Sequence, residues 1–231
     1  MKKPLIGLNV DFDDGKYQIR NEYVDCIIAA GGLPLIVPCH HAEKLLDQYV
    51  TKADGFLFIG GLDYPPSCYG ARPGRHVRPL HARRAKADLY LAEQVLARKM
   101  PVLGICGGHQ LISIALGGKL IQHLPGAGRH KGGVKHPVAI TGGKILRRLF
   151  LGKKITVKSY HHQAVDPNCI GAGLKPVAFA DNGRILEAFE SVKHPFVVGL
   201  QWHPERMPWR SHGAKIFGAF VRAAQKGDDA I

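Results

Sequence analysis

Short apolar runs alternate with amphipathic stretches along the first half of the chain. Leu5-Ile6-Gly7-Leu8-Asn9-Val10 reads as a buried strand. Asn21 is placed to cap a helix whose apolar face is Val24, Ile27 and Ile28, ended by Gly31-Gly32. Leu33 to Val37 is a second strand, stopped by Pro38. Ala42, Leu45, Leu46 and Tyr49 then recur at helical spacing. Phe56 to Ile59 is a third strand running straight into Gly60-Gly61. Turn residues follow (Pro65, Pro66, Gly70, Pro73, Gly74, Pro79), then a helix with Ala85, Leu89, Ala92 and Leu96 on one face. Pro101 to Ile105 is the fourth strand. Leu111, Ile114 and Ala115 mark a short helix closed by Gly117-Gly118. The second half is richer in strands: Val134 to Ile140, Ile155 to Lys158, Pro176 to Ala180, Ile185 to Phe189 and Phe196 to Gln201. A last helix carries Ala214, Phe217, Phe220 and Ala224, and the polar end, Lys226 to Ile231, is expected to fray.

Strands alternating with helices predict an α/β fold, a mostly parallel sheet covered on both faces. No repeat, low-complexity tract or linker interrupts it, so residues 1–231 read as a single domain. In such sheets ligands bind at the carboxyl ends of strands, which draws attention to Gly60-Gly61 and Cys106. The composition, 45% hydrophobic and 22% charged, excludes disordered and collagen-like classes. The uncharged stretch from Cys26 to Ala42 is broken by Gly31, Gly32, Pro34 and Pro38, so no membrane partner is expected. Lys2 and Lys3 precede too short an apolar run for a secretion signal. Five cysteines without a CxxC pair argue against a disulfide framework and a thiolate zinc site, and a cytoplasmic location is expected. The net charge of +14 is concentrated between Arg72 and Lys86. No aromatic residues interleave with these charges, so this stretch reads as a solvated loop and helix start, with no nucleic acid partner.

The distinctive chemistry is at Gly104-Ile105-Cys106-Gly107-Gly108-His109-Gln110. A thiol here sits on a tight strand-to-helix turn, where helix N–H groups favour a thiolate. The Gly107 N–H would face the oxygen of a bound carbonyl, half an oxyanion hole. A lone cysteine is more often a small buried hydrophobe; the flanking glycines and the turn set Cys106 apart. A base is available at Gln201-Trp202-His203-Pro204-Glu205. Residues two apart on an extended chain face the same side, so Glu205 can hold one nitrogen of His203 and leave the other for Cys106. That is nucleophile, base and orienter in the order Cys, His, Glu.

These residues resemble the class I glutamine amidotransferase superfamily, with Gly104, Cys106, Gly108 and Gln110 matching G-x-C-x-G-x-Q and His203-Pro204-Glu205 matching H-P-E. Within it the chain looks most like the free-standing γ-glutamyl-γ-aminobutyrate hydrolases of peptidase family C26. Further matches run through Ala30-Gly31-Gly32-Leu33-Pro34, Gly60-Gly61-x-Asp63, Tyr69-Gly70, His130, His136 and Ser159-Tyr160-His161-His162-Gln163. The resemblance implies a flavodoxin-like three-layer sandwich with β-rich additions in the second half. It implies attack by Cys106 on a γ-carbonyl, a glutamyl thioester, proton transfers by His203 and orientation by Glu205. The oxyanion hole would come from Gly107 and the Gly60-Gly61 turn. Gln110 and the segment of Tyr160, His161 and His162 would hold the glutamate end. The route requires no cofactor, metal or nucleotide. The substrate implied is a small γ-glutamyl amide of GABA or polyamine metabolism; a homodimer is left open.

Three positions depart from the family pattern. Gly107 stands where relatives often have Arg, Lys158 replaces Asn before Ser159, and Tyr64 precedes Pro65-Pro66. They bear on the leaving amine, whose end of the site is expected to be built by the loop from Asp63 to Pro79. The basic run there favours a neutral or anionic amine, such as an ω-amino acid, over a polyamine. The alternatives are a glutaminase subunit passing ammonia to a synthase, a folate polyglutamate hydrolase (which would want a secretion signal), and a non-catalytic binding relative. His130 and His136, with His109 and His123 near them in sequence, fit no helical HxxxH pair. No metal is therefore expected, and they are read as lining or supporting the cleft.

Overall fold

Successive side chains of a strand point to opposite faces, and the third apolar run uses both. Phe56 and Phe58 enter one hydrophobic core while Leu57 and Ile59 enter another. Each buried side chain of this size contributes roughly 1.5–3 kcal/mol by leaving water. A computed structural model describes residues 2–151 and 154–226. Of the end expected to fray, Lys226 is helical and residues 227–231 lie outside the described residues.

In chain order the elements are β1 (Leu5–Asn9), β2 (Asp11–Asp13), β3 (Lys16–Gln18), α1 (Asn21–Ala29), β4 (Leu33–Val37), α2 (Glu43–Lys52) and β5 (Gly55–Phe58). Then come α3 (Ala82–Ala97), β6 (Val102–Ile105), α4 (Gly107–Ala115), β7 (Leu120–Ile121), β8 (Val134–Ile140) and α5 (Ile145–Leu149). The rest are β9 (Lys154–Ser159), β10 (Ala164–Val165), β11 (Leu174–Ala180), β12 (Ile185–Ser191), β13 (Val197–Leu200) and α6 (Ala214–Lys226). One large sheet has the order β4-β1-β5-β6-β13-β12-β11-β8-β9. Pairing from β4 to β13 is parallel, and from β13 to β9 antiparallel. Residues of α1 and α6 pack in the core on one face, and residues of α2, α3 and α4 in the core on the other. The result is the expected three-layer sandwich with an antiparallel second half.

Several local expectations are corrected. Asn21 does not cap α1; Arg20 holds the cap position without a side-chain bond, and Asn21 is the first helical residue. The buried stripe of α1 is Tyr23, Cys26 and Ile27, while Ile28 is half exposed. Two small ribbons were not foreseen. In β2–β3 the signal was present: Asp14-Gly15 turns the hairpin with φ of 45° and 71°, the positive pair such a turn requires. The β7–β10 pairing joins segments more than forty residues apart and has no local signature.

Parallel pairing sets Gly199 beside Gly104 and Leu200 beside Ile105. The ends of β6 and β13, and hence Cys106 and the Gln201–Glu205 segment, emerge side by side. The start of α4 lies directly on this part of the sheet. A Cβ on Gly108 would stand 2.1 Å from the Phe58 carbonyl oxygen, and one on Gly104 2.5 Å from the Gly108 carbonyl oxygen. Neither carbonyl can move without breaking the sheet or the helix. Gly108→Ala is therefore expected to cost about 1–3 kcal/mol or more, read as a lowered urea midpoint with an unchanged slope.

Candidate active site

Cys106 ends β6 and caps α4 with φ 52° and ψ −102°, a strained conformation for a side chain bearing Cβ. Its N–H donates to the Leu200 carbonyl at 2.8 Å, and its carbonyl accepts from the Gln110 N–H at 3.1 Å. The bend is thus pinned from the neighbouring strand and from its own helix.

His203 follows β13. Its N–H donates to the Lys158 carbonyl at 3.3 Å, and its ring meets Tyr160 edge-on at 5.2 Å between centroids. Nδ1 lies 2.6 Å from Oε1 of the buried Glu205, and Cys106 is close enough to act on the ring electrostatically. Burial depresses the His203 pKa, but the carboxylate of Glu205 and the neighbouring Cys106 outweigh it and push the value up to about 10. All three residues predicted to act together are brought together, in the predicted order of contact.

Gly60 lies against this group. A Cβ there would be 3.1 Å from His203 Cε1 and 3.4 Å from Cys106 Cβ. Its predicted role is corrected, because the Gly60 N–H already donates to the Tyr23 hydroxyl at 3.1 Å. The Gly61 N is 3.3 Å from where a Gly107 Cβ would stand. Gly61 and Gly107 thus lie against each other beside Cys106.

The turn is held from below by a network the sequence reading missed. Arg84, assigned there to a solvated basic run, is fully buried. It donates to the Gly60 carbonyl at 2.9 Å, and it lies 3.1 Å from Asp88 Oδ2 and 3.0 Å from Asp11 Oδ1. Asp88 Oδ2 also accepts from Tyr64 at 2.7 Å and from the Asn9 amide at 2.9 Å, while Asn9 Oδ1 accepts the Ile59 N–H. Gln201 was missed too: its Nε2 is 3.7 Å from Cys106 Sγ.

Cys106 opens onto two cavities. One, about 540 Å³, is lined by Asp11, Arg20, Tyr23, Gly60, Tyr160 and Arg206 among others. The other, about 190 Å³, is lined by Asp63, Arg78, Gln110, Lys131, His161 and His162 among others. Gln110 gives its Nε2 to the Gln163 carbonyl and to Gln201 Oε1. His162 Nε2 lies 3.0 Å from Asp63. The Asp63–Pro79 loop therefore lines the same cavity as Gln110, where it was expected to build the opposite end. The His161 ring turns instead toward Glu187. His130 and His136 line neither cavity; the His130 carbonyl supports the segment by accepting the His161 N–H at 2.8 Å.

The cluster of Cys106, His203 and Glu205 thus lies where β6 and β13 end side by side. The peptidase C26 profile matches residues 4–205, and the chain belongs to that family. It is 35% identical, over 96% of this chain and 75% of the relative, to a Mycobacterium tuberculosis protein whose name suggests a glutamine amidotransferase. It is 29% identical, over 97% of this chain and 95% of the relative, to the γ-glutamyl-γ-aminobutyrate hydrolase of Escherichia coli. The glutaminase domain of Trypanosoma brucei CTPS, solved with acivicin bound, superposes with a TM-score of 0.71 over 98% of this chain and 96% of that one, at 16% identity. The fold is that of class I glutamine amidotransferases.

The raised His203 pKa has a definite sign. Its contribution to stability is complete below pH 6.5 and is lost as pH rises through about 10. Glu205→Gln removes the carboxylate that raises it. The imidazole titration followed by NMR is expected to move down by more than one pH unit, and the alkaline loss of stability to flatten.

Proposed function

We propose that the protein hydrolyses the γ-glutamyl amide bond of a small γ-glutamyl amine. What carries this reading is the Cys106–His203–Glu205 chain placed between two cavities. His203, its pKa raised to about 10, already carries the proton taken from the thiol, so Sγ attacks the γ-carbonyl as a thiolate. The oxyanion is held by the Gly61 and Gly107 N–H groups. His203 returns the proton to the departing amine, and water deprotonated by His203 hydrolyses the thioester to glutamate and free Cys106. Glu205 keeps Nδ1 protonated and the ring aligned.

The smaller cavity suits the glutamate end. Gln110 has spent its amide hydrogens on protein acceptors, which leaves its oxygen to accept from an α-ammonium group. Arg78, Lys131 and His162 stand by for the α-carboxylate. The leaving amine then occupies the larger cavity. Arg20 and Arg206 stand on its wall, and its acidic residue, Asp11, is 3.0 Å from Arg84. The charge that favours an ω-amino acid over a polyamine thus comes from these two arginines, while the Arg72–Lys86 run contributes Arg78 to the other cavity.

The isolated protein is expected to release glutamate from γ-glutamyl-γ-aminobutyrate, and Cys106→Ala to lose at least about 10³-fold of that activity. Absence of turnover in the folded wild type would point to a partner-dependent glutaminase or a binding protein. Arg20→Gln is expected to lower kcat/KM for γ-glutamyl-γ-aminobutyrate about tenfold, roughly 1.4 kcal/mol, with glutamine hydrolysis unchanged. A preference for a γ-glutamyl polyamine would overturn the amine assignment.

A further inference from the structure

One buried polar group has no part in the proposed hydrolysis. Oε1 of Glu187 lies 3.7 Å from His130 Nδ1, 3.6 Å from His136 Nε2 and 3.6 Å from His161 Nε2. The four ligand atoms all fall within 4.8 Å of one another. Their residues come from four places in the chain: the turn before β8, β8 itself, the segment after β9, and β12. The Glu187, His130 and His161 side chains are at most 1% exposed and His136 is 12% exposed. Among the described residues, both Glu187 oxygens, both His130 nitrogens and His161 Nε2 have no hydrogen-bond partner. Separations of 3.6 Å are too long for hydrogen bonds. A carboxylate buried this completely, without a donor, is costly unless a cation compensates it.

From this geometry we infer a zinc site formed by His130, His136, His161 and Glu187. Three imidazoles and one carboxylate are a four-coordinate set of the kind zinc takes, with bonds of roughly 2.0–2.2 Å. Tetrahedral ligands at that radius stand about 3.3–3.6 Å apart, so the three contacts to Glu187 are already near that spacing, and the pairs spread out to 4.8 Å must close by as much as about 1.5 Å through small rotations of the imidazoles. The outer contacts support it. A ligating histidine commonly donates its second N–H to a carbonyl or carboxylate, which turns the lone pair of the first toward the metal. His161 Nδ1 is 2.9 Å from the Gln163 carbonyl and His136 Nδ1 is 3.3 Å from the Pro137 carbonyl. His130 Nε2, 3.8 Å from Asp181, makes no such bond. The Ser159 hydroxyl, 2.7 Å from His136 Nε2, turns its hydrogen elsewhere when that nitrogen ligates. The partly exposed His136 marks the route of entry. The ion would tie the Tyr160–Gln163 segment to β8 and β12 and so fix a wall of both cavities.

The test uses untagged full-length protein, since a histidine tag would bind zinc itself. After equilibration with zinc chloride and gel filtration, about one zinc per chain is expected by elemental analysis, in the wild type and equally in Cys106→Ala. Glu187→Gln and His136→Gln are expected to lose it. Zinc added to chelator-treated wild type is expected to raise Tm by about 5 °C or more, and not in Glu187→Gln. Cobalt(II) in its place is expected to give visible absorption of tetrahedral intensity. Folded, chelator-treated wild type that takes up neither metal overturns the inference. So does bound zinc that disappears in Cys106→Ala, which would put the ion on Cys106 and His203. If Glu187→Gln fails to fold, His136→Gln and the cobalt spectrum decide.

Discussion

The site depends on how closely the first turn of α4 approaches β5 and β6. Gly104 and Gly108 allow a contact in which a single Cβ would strike a main-chain carbonyl. With the helix that close, the chain has one residue in which to leave the strand and enter the helix. That residue is Cys106, and positive φ is the result. Strain in the backbone and display of the thiol are the same fact. The strain persists because the Leu200 carbonyl and the hydrogen-bonded first turn of α4 over-determine the bend.

The opposite wall is held by charge. Arg84 is buried whole, and its guanidinium reaches the Gly60 carbonyl, Asp11 and Asp88. Burying an ion pair is a doubtful source of net stability, whereas removing one partner of such a pair is strongly destabilising. The network is better understood as fixing position. It holds the carbonyl of Gly60 while Tyr23 holds its N–H, leaving little freedom for the next peptide. Gly61 therefore follows from a turn held at both ends of the preceding residue.

The parts of the fold set by local pattern were legible in the sequence. The parallel strands are short, mainly apolar runs, and the central ones appear within a residue of where they were read. Cys106, His203 and Glu205 were legible because each stands in a short motif whose geometry is local. Tyr23, Gln201 and Arg84 were not, because their contacts cross 37, 95 and 24 residues. Arg84 is the instructive case. Among Arg72, Arg75, Arg78, Arg83 and Lys86 it looks like one more surface charge; only its place on the inner face of α3, four residues before Asp88, distinguishes it. The histidine cluster was hidden for the same reason, since its ligands lie on elements whose adjacency is decided by sheet order.

That order also explains why the cavities differ. Cys106 and His203 emerge where parallel pairing ends, at β6 and β13, beside the antiparallel half that starts at β12. The larger cavity is walled by the N-terminal hairpin and α1 of the parallel half, with Tyr160 and Arg206 from beyond the seam. The smaller draws on the long loop after β5 and on the segment after β9. The two cavities meet at the seam, where the strands leading to Cys106 and His203 lie side by side. The junction therefore fixes Cys106 and His203 alike for both cavities, and what differs between the cavities comes from the hairpin and the loops on either side of it.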